Sequence, residues 1–193
     1  DLPCGIDCHS QTIYDKAKEN FDLFREKGWL VQDPGDYLYI YAQTMNGKTQ
    51  YGIVGCAGVE DYMNGIIKKH ELRRKDKEQD RMKHVRITNA NMEPVFFTYP
   101  AVPEIDEIVA RIVKENPPEY DFVATDGVGH HFWVIKDEPI IQTILRLFAK
   151  VSYTYVADGH HRTAAAALVG NEKKNDNPTH EGTEEYNYFL AVH

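Results

Sequence analysis

Between Ser152 and Gly170 the chain reads SYTYVADGHHRTAAAALVG, and its hydrophobic pattern changes character within a few residues. An alternating run of strand type stops at Ala157, and an alanine-rich run of helical type begins after Arg162. A strand that passes directly into a helix restricts the fold to architectures in which helices pack on a sheet. Alanines 164 to 167 further require that this helix lie close against the sheet, because their side chains cannot bridge a wide gap.

The rest of the chain supplies the partners. Ile13, Ala17, Phe21 and Phe24 fall at helical spacing between Thr12 and Lys27, with Gly28 as the stop. YLYIYAQT and TQYGIVGCAG read as two strands of a hairpin turned at Asn46–Lys48. A short helix is expected over Val59–Ile67 and a charged one over Glu71–Val85. EPVFFTY, YDFVATDG, GHHFWVIKD and the closing EYNYFLAVH read as strands. EIDEIVARIVKEN reads as an amphipathic helix, and PIIQTILRLFAK as a helix with Pro139 in its first turn. Residues 170–185, polar and without periodicity, read as a mobile loop. The expected fold class is α+β (α/β): one domain over residues 1–193, a mixed sheet with flanking helices. The chain opens on Asp1 and closes on a strand, which reads as an internal fragment of a longer protein.

The net charge of −8 argues against a general nucleic-acid coat, since phosphate-backbone affinity rests on clustered Lys and Arg. No apolar run reaches the length of a membrane span and no signal-peptide layout opens the chain, so no membrane is expected and the cytoplasm is the expected location. Cys4, Cys8 and Cys56 form no disulfide framework. CGIDCH sets Cys4, Cys8 and His9 together, but it lacks a fourth zinc ligand and a common spacing, and reads as unpaired thiols.

Two constellations carry chemistry. At the strand-to-helix joint, Gly159 permits a sharp turn and close approach of a ligand to the main chain. The helix behind it offers unpaired N–H groups, where a phosphate binds readily, and Arg162 can grip it with a planar fork. Asp158 can hold a divalent metal or accept a proton, and at most one of His160 and His161 is expected to face the ligand. The plainer account, Asp158 as a helix cap beside decorative histidines, explains one residue of the group.

The second constellation runs from Lys68 to Arg86, with nine Lys or Arg against four Asp or Glu. On a helix, His70, Arg74, Lys77, Arg81 and His84 share one face. That face is either solvated or the second wall of an anion-binding cleft, with Asn89 and Asn91 just beyond it. DGVGHHFW places Asp126, His130, His131 and Trp133 at a strand start and reads as a packed aromatic strand. Phosphate-loop and protein-kinase motifs are absent.

KKHELRRKDKEQDR and VADGHHRTAAAA, with LYIYAQT and TDGVGHHFWVI around them, closely resemble a prokaryotic family known as domain of unknown function ten-fifteen. The resemblance covers nearly the whole chain; Arg73 stands where many members have Thr. The DGHHR turn also resembles that of the ParB/sulfiredoxin-like fold, which includes free-serine kinases using a nucleoside phosphate. That resemblance implicates Asp158, Gly159, His160, His161 and Arg162. It supplies no secure counterpart of those kinases' catalytic glutamate, for which Glu71 is the candidate.

The reading expected from the sequence is phosphoryl transfer from ATP or ADP, with Mg²⁺ at Asp158, to a small hydroxyl compound such as serine. Asp158, His160, His161 and Glu71 are its catalytic candidates; Gly159, Arg162, His70, Arg74, Lys77 and Arg81 are its phosphate-binding ones. The expected partners are a small-molecule substrate and a nucleotide, with a homodimer left open. Two alternatives stand beside it: a non-catalytic nucleotide switch of ParB type, and a metal-assisted hydrolase using Asp158, His160 and His161.

Overall fold

A computed structural model of the chain describes Asp7, residues 9–71 and residues 75–193. Six helices, α1 (Gln11–Glu26), α2 (Val59–Met63), α3 (Lys75–Thr88), α4 (Pro103–Glu115), α5 (Glu138–Phe148) and α6 (His160–Asp176), flank one sheet. Its strands are β1 (Leu38–Met45), β2 (Lys48–Gly58), β3 (Ile67–Lys68), β4 (Val95–Thr98), β5 (Tyr120–Val123), β6 (Gly129–Ile135), β7 (Thr154–Asp158) and β8 (Tyr188–Val192). The order across the sheet is β3-β7-β4-β8-β2-β1-β6-β5. The β3–β7 and β4–β8 pairs are parallel and the others antiparallel, so the sheet is mixed and the fold α+β.

Local chemistry accounts for most boundaries. Asn46 and Gly47 take φ of 52° and 73°, the paired positive values that a two-residue hairpin needs between Met45 and Lys48. Asp137 caps α5 by accepting the N–H of Ile140 at 3.0 Å, and Pro139 occupies the first turn, where no N–H is missed.

Helices α4 and α5 close over β1, β2 and β6. Ile105 and Ile112 from α4 and Ile141 and Ile144 from α5 bury against Ile40, Ala42, Ile53, Trp133 and Ile135. Each large aliphatic chain removed from water there contributes roughly 1.5–3 kcal/mol. The Trp133 indole N–H, carried into this core, donates to the Asn116 carbonyl at 3.1 Å.

A second core forms where α6 lies on Val95, Phe97, Val156, Phe189 and Ala191, with Ala164, Ala166 and Ala167 as its contact surface. Gly170 continues that approach: a Cβ there would meet the Tyr186 carbonyl and Val59. On α6's remaining side, Met82 and Val85 of α3 pack against Ala165, Leu168 and Val169. Helix α1 packs on α3 in turn. Tyr14, almost wholly buried, donates to Asp80 at 2.5 Å, and His9 lies 3.1 Å from the same oxygen. Partial burial opposes ionisation of Asp80, but these bonds and His84 hold its carboxyl below the usual range.

Two expectations are corrected. Residues 170–176 are the last turns of α6 rather than loop, and the non-regular segment after them makes local bonds among its own polar groups. Glu184 accepts the N–H groups of Glu181 (2.7 Å) and Gly182 (2.9 Å), and Asn177 accepts that of Thr179 (3.0 Å). These bonds give a polar stretch the partners that a missing hydrophobic period cannot. Glu71 lies in a bend rather than in the charged helix, whose described residues run from Lys75 to Thr88; His70 and Glu71 follow the short strand β3.

Candidate functional site

Strand β7 ends at Asp158, and Gly159 turns the chain with φ 87° and ψ 33° into α6. That left-handed conformation is strained for a residue with a side chain. By helix geometry the N–H groups of His160, His161 and Arg162 have no partner within the helix, leaving donors and a partial positive charge at its start. Asp158 does not cap the helix. Its carboxylate instead accepts Nη2 of Arg162 at 2.8 Å, while Nη1 donates to Glu93 at 2.7 Å. The guanidinium folds back over the turn: a Cβ on Gly159 would lie 3.1 Å from Nε and Nη2. Arg162 Nε is itself buried and unpartnered.

His160 is the buried member of the histidine pair. Its side chain is 5% exposed, its Nδ1 lies 3.1 Å from Glu71, and its Nε2 has no partner. The His70 ring stands edge-on to it with centroids 4.5 Å apart. Burial first, then His70, holds the His160 imidazole below its ordinary pKa against the pull of Glu71 and Asp158, which favours the neutral base at neutral pH. His161 is half-buried, with Nδ1 enclosed and unpartnered. The two motifs therefore meet: His70 and Glu71, far from the turn in sequence, complete the surroundings of His160.

The basic stripe separates. Arg74 lies outside the described residues, as do Cys4, Cys8, Leu72 and Arg73. Lys77 is exposed on α3, whereas Arg81 and His84 line a 240 Å³ cleft between α3 and α6 that Arg162 and Glu93 also border. Asn91 lines that cleft, while Asn89 is engaged by Lys173. Arg86, at the end of α3, makes a two-bond pair with Glu172 on α6, at 2.8 Å each.

Glu93 is the residue that sequence reasoning passed over. Its available signal is an acid just before Pro94 and β4, the strand that pairs with β7 and brings Phe96 opposite Asp158. DGVGHHFW lies in the turn after β5 and on β6, with four strands between β6 and β7. His131 sits between Asp121 (2.9 Å) and Thr44 (3.2 Å), and His130 meets Tyr41 (2.7 Å), the satisfied packing expected of it. Among the described residues no group of three His, Cys, Asp or Glu is arranged to hold a metal ion, and no helix is long and apolar enough to cross a membrane.

Comparison with curated proteins and with solved structures gives no match. A family model described as a protein of unknown function (DUF1015) matches residues 1–193, the whole of the sequence. The bend that joins β7 to α6, with its acids, histidines and arginine, is thus set in a chain that belongs to the DUF1015 family.

Proposed function

We propose that this domain binds a nucleoside phosphate at the start of α6 and transfers a phosphoryl group to a small hydroxyl compound, serine being the first to test. The observation that carries this reading is His160: a buried imidazole at the first residue of α6, oriented by Glu71 at 3.1 Å, whose enclosed Nε2 has no partner. A carboxylate-held neutral imidazole is the arrangement a general base uses. In the transfer, the acceptor oxygen bonds to the terminal phosphorus and the bond from that phosphorus to the nucleotide's bridging oxygen breaks. The acceptor proton passes to His160 Nε2. Arg162 and the first-turn N–H groups of α6 offset the charge on the transferring oxygens, the principal demand of phosphoryl transfer.

Asp158 and Glu93 each hold Arg162 through one oxygen, and their hydrogen bonds leave the other oxygen free. Hard oxygen donors of this kind fit a magnesium ion that arrives with the nucleotide and keeps most of its water, and the ion would supply neutralisation of phosphate charge.

The test is incubation with ATP or ADP, Mg²⁺ and a panel of amino acids, with products read by phosphorus NMR and mass spectrometry. A phosphorylated product that His160→Gln abolishes, with nucleotide binding retained, is the expected result. Nucleotide binding without any product rejects catalysis. One observation favours the second reading, a nucleotide switch: Arg162 is already closed by two carboxylates, so a phosphate that takes the guanidinium must rearrange them. That reading predicts a structural change on nucleotide binding without turnover.

A further inference from the structure

The cleft between α3 and α6 adjoins the start of α6 but is unlike it in chemistry. Its volume is 240 Å³ and its lining is mostly apolar, with Val85 from α3, Ala166 from α6, Val95 and Phe189 from the sheet, and Met92 at the edge. Small-molecule sites commonly enclose ~300–1,000 Å³, so this cleft suits one ring system of a ligand whose remainder lies outside. The exit is fixed by Arg162, which borders the cleft, and by Val95, whose Cγ1 would lie 3.2 Å from a Cβ on Gly159. A ligand part seated on Val95 thus continues onto the α6 turn and the guanidinium, which an anionic group reaches by displacing Asp158 and Glu93.

We infer that this cleft receives the adenine ring of the nucleotide whose phosphates occupy the α6 turn, an assignment that rests on the reading under Proposed function. Asn91 supplies the selectivity. It lines the cleft, is exposed, and makes no side-chain hydrogen bond with the described residues, so its amide presents a free donor and acceptor together. Adenine offers the matching acceptor and amino donor side by side, the pairing by which asparagine reads it elsewhere. Arg81, on the α3 wall, provides a planar cation able to stack on the ring. The base in the cleft and the phosphates on Arg162 then adjoin across the first turn of α6, the turn that also carries His160.

The test measures binding of the full chain to magnesium ATP, magnesium GTP and magnesium tripolyphosphate, the last carrying the phosphates without a base. The expected result is tighter binding of ATP than of tripolyphosphate in the wild type. Ala166→Met, which fills the cleft, should weaken ATP about tenfold, roughly 1.4 kcal/mol, and leave tripolyphosphate unchanged. Asn91→Leu, at an exposed position that does not endanger folding, should erase the preference for ATP over GTP. Arg162→Ala should weaken all three ligands. ATP and tripolyphosphate binding equally, or Asn91→Leu leaving the ATP preference intact, overturns the cleft assignment while the phosphate site stands. Binding of none of the three by the wild type overturns the phosphate site and this inference with it. Should Ala166→Met fail to fold, the Asn91 variant decides.

Discussion

Replacing Gly159 by Ala tests whether the β7–α6 turn depends on backbone conformation alone or also on the guanidinium lying over it. At φ 87° and ψ 33° the position is left-handed, where a residue with a Cβ loses roughly 1–2 kcal/mol. The new Cβ would also stand 3.1 Å from Arg162 Nε and Nη2 and 3.2 Å from Val95 Cγ1, so the guanidinium must shift by a few tenths of an ångström. Its two ion pairs would lengthen. Because Asp158 and Glu93 are 74% and 56% exposed, each pair is worth only ~0–1 kcal/mol, so losing both would cost at most about 2 kcal/mol and lengthening them about 1 kcal/mol. Gly127 is the internal control, with φ 83° and nothing within 4 Å of a Cβ.

Urea denaturation followed by circular dichroism should therefore show a loss of about 1–2 kcal/mol for Gly127→Ala. Gly159→Ala should lose about 1 kcal/mol more, with an unchanged m-value. In a chain of this size each kcal/mol corresponds to roughly 2–4 °C in Tm. In an Arg162→Ala background the excess at Gly159 should shrink to what Val95 alone imposes. Equal losses at the two glycines, or an excess that removal of Arg162 leaves undiminished, would refute the argument.

Gly170→Ala should run against the usual helix preference. In an exposed helix the change gains up to about 1 kcal/mol, but here the methyl meets the Tyr186 carbonyl and Val59, so a net loss is expected, and a gain in Tm would contradict the close approach of α6 to that backbone. Acid stability should depend on His193, which burial beside Phe97 and Phe148 pushes down to about 4. The unfolded imidazole titrates near ~6.5, so below that value the unfolded chain binds the extra proton first. Stability is whole above ~6.5 and drains as pH falls towards the folded value, by up to ~3 kcal/mol. The lowered His160 acts in the same direction. His193→Gln should flatten the slope of stability against pH across this window; an unchanged slope would place the acid sensitivity elsewhere.

Most elements were legible because each carries its own period or punctuation. Asn46–Gly47 announces the β1–β2 hairpin, and the Ile105/Ile112 spacing announces α4. What stayed hidden was tertiary in origin. Strand β3 is two residues long and exists only as the neighbour of Thr154 and Tyr155, which no local pattern can signal. Glu71 was placed inside the charged helix because a run of helix-favouring charges extends back to Lys68, while the backbone at His70 and Glu71 belongs to the connection after β3. The stretch after Asp176 reads as featureless because its local bonds come from carboxylate and amide side chains holding nearby N–H groups, an arrangement without hydrophobic period.

The candidate site was legible as a list of residues but not as a balance of charge. Sequence reasoning set Arg162 among basic neighbours and treated the turn as a positive well. In the structure Asp158, Glu93 and Glu71 gather around Arg162 and His160, with Arg81 and His84 set off in the adjoining cleft. Two carboxylates on one guanidinium, with Glu71 on the neighbouring His160, repel a bare phosphate, and the helix start alone, worth about half an elementary charge, does not reverse that balance. Under the proposed function a ligand that carries its own cation changes the sum: Asp158 and Glu93 would hold the magnesium ion, which would supply the neutralisation of their charge, and Arg162 would then serve the phosphate. Magnesium nucleotide should therefore bind where inorganic phosphate without magnesium does not, and the two carboxylates that close Arg162 in this structure become part of the selectivity for the metal-bound form.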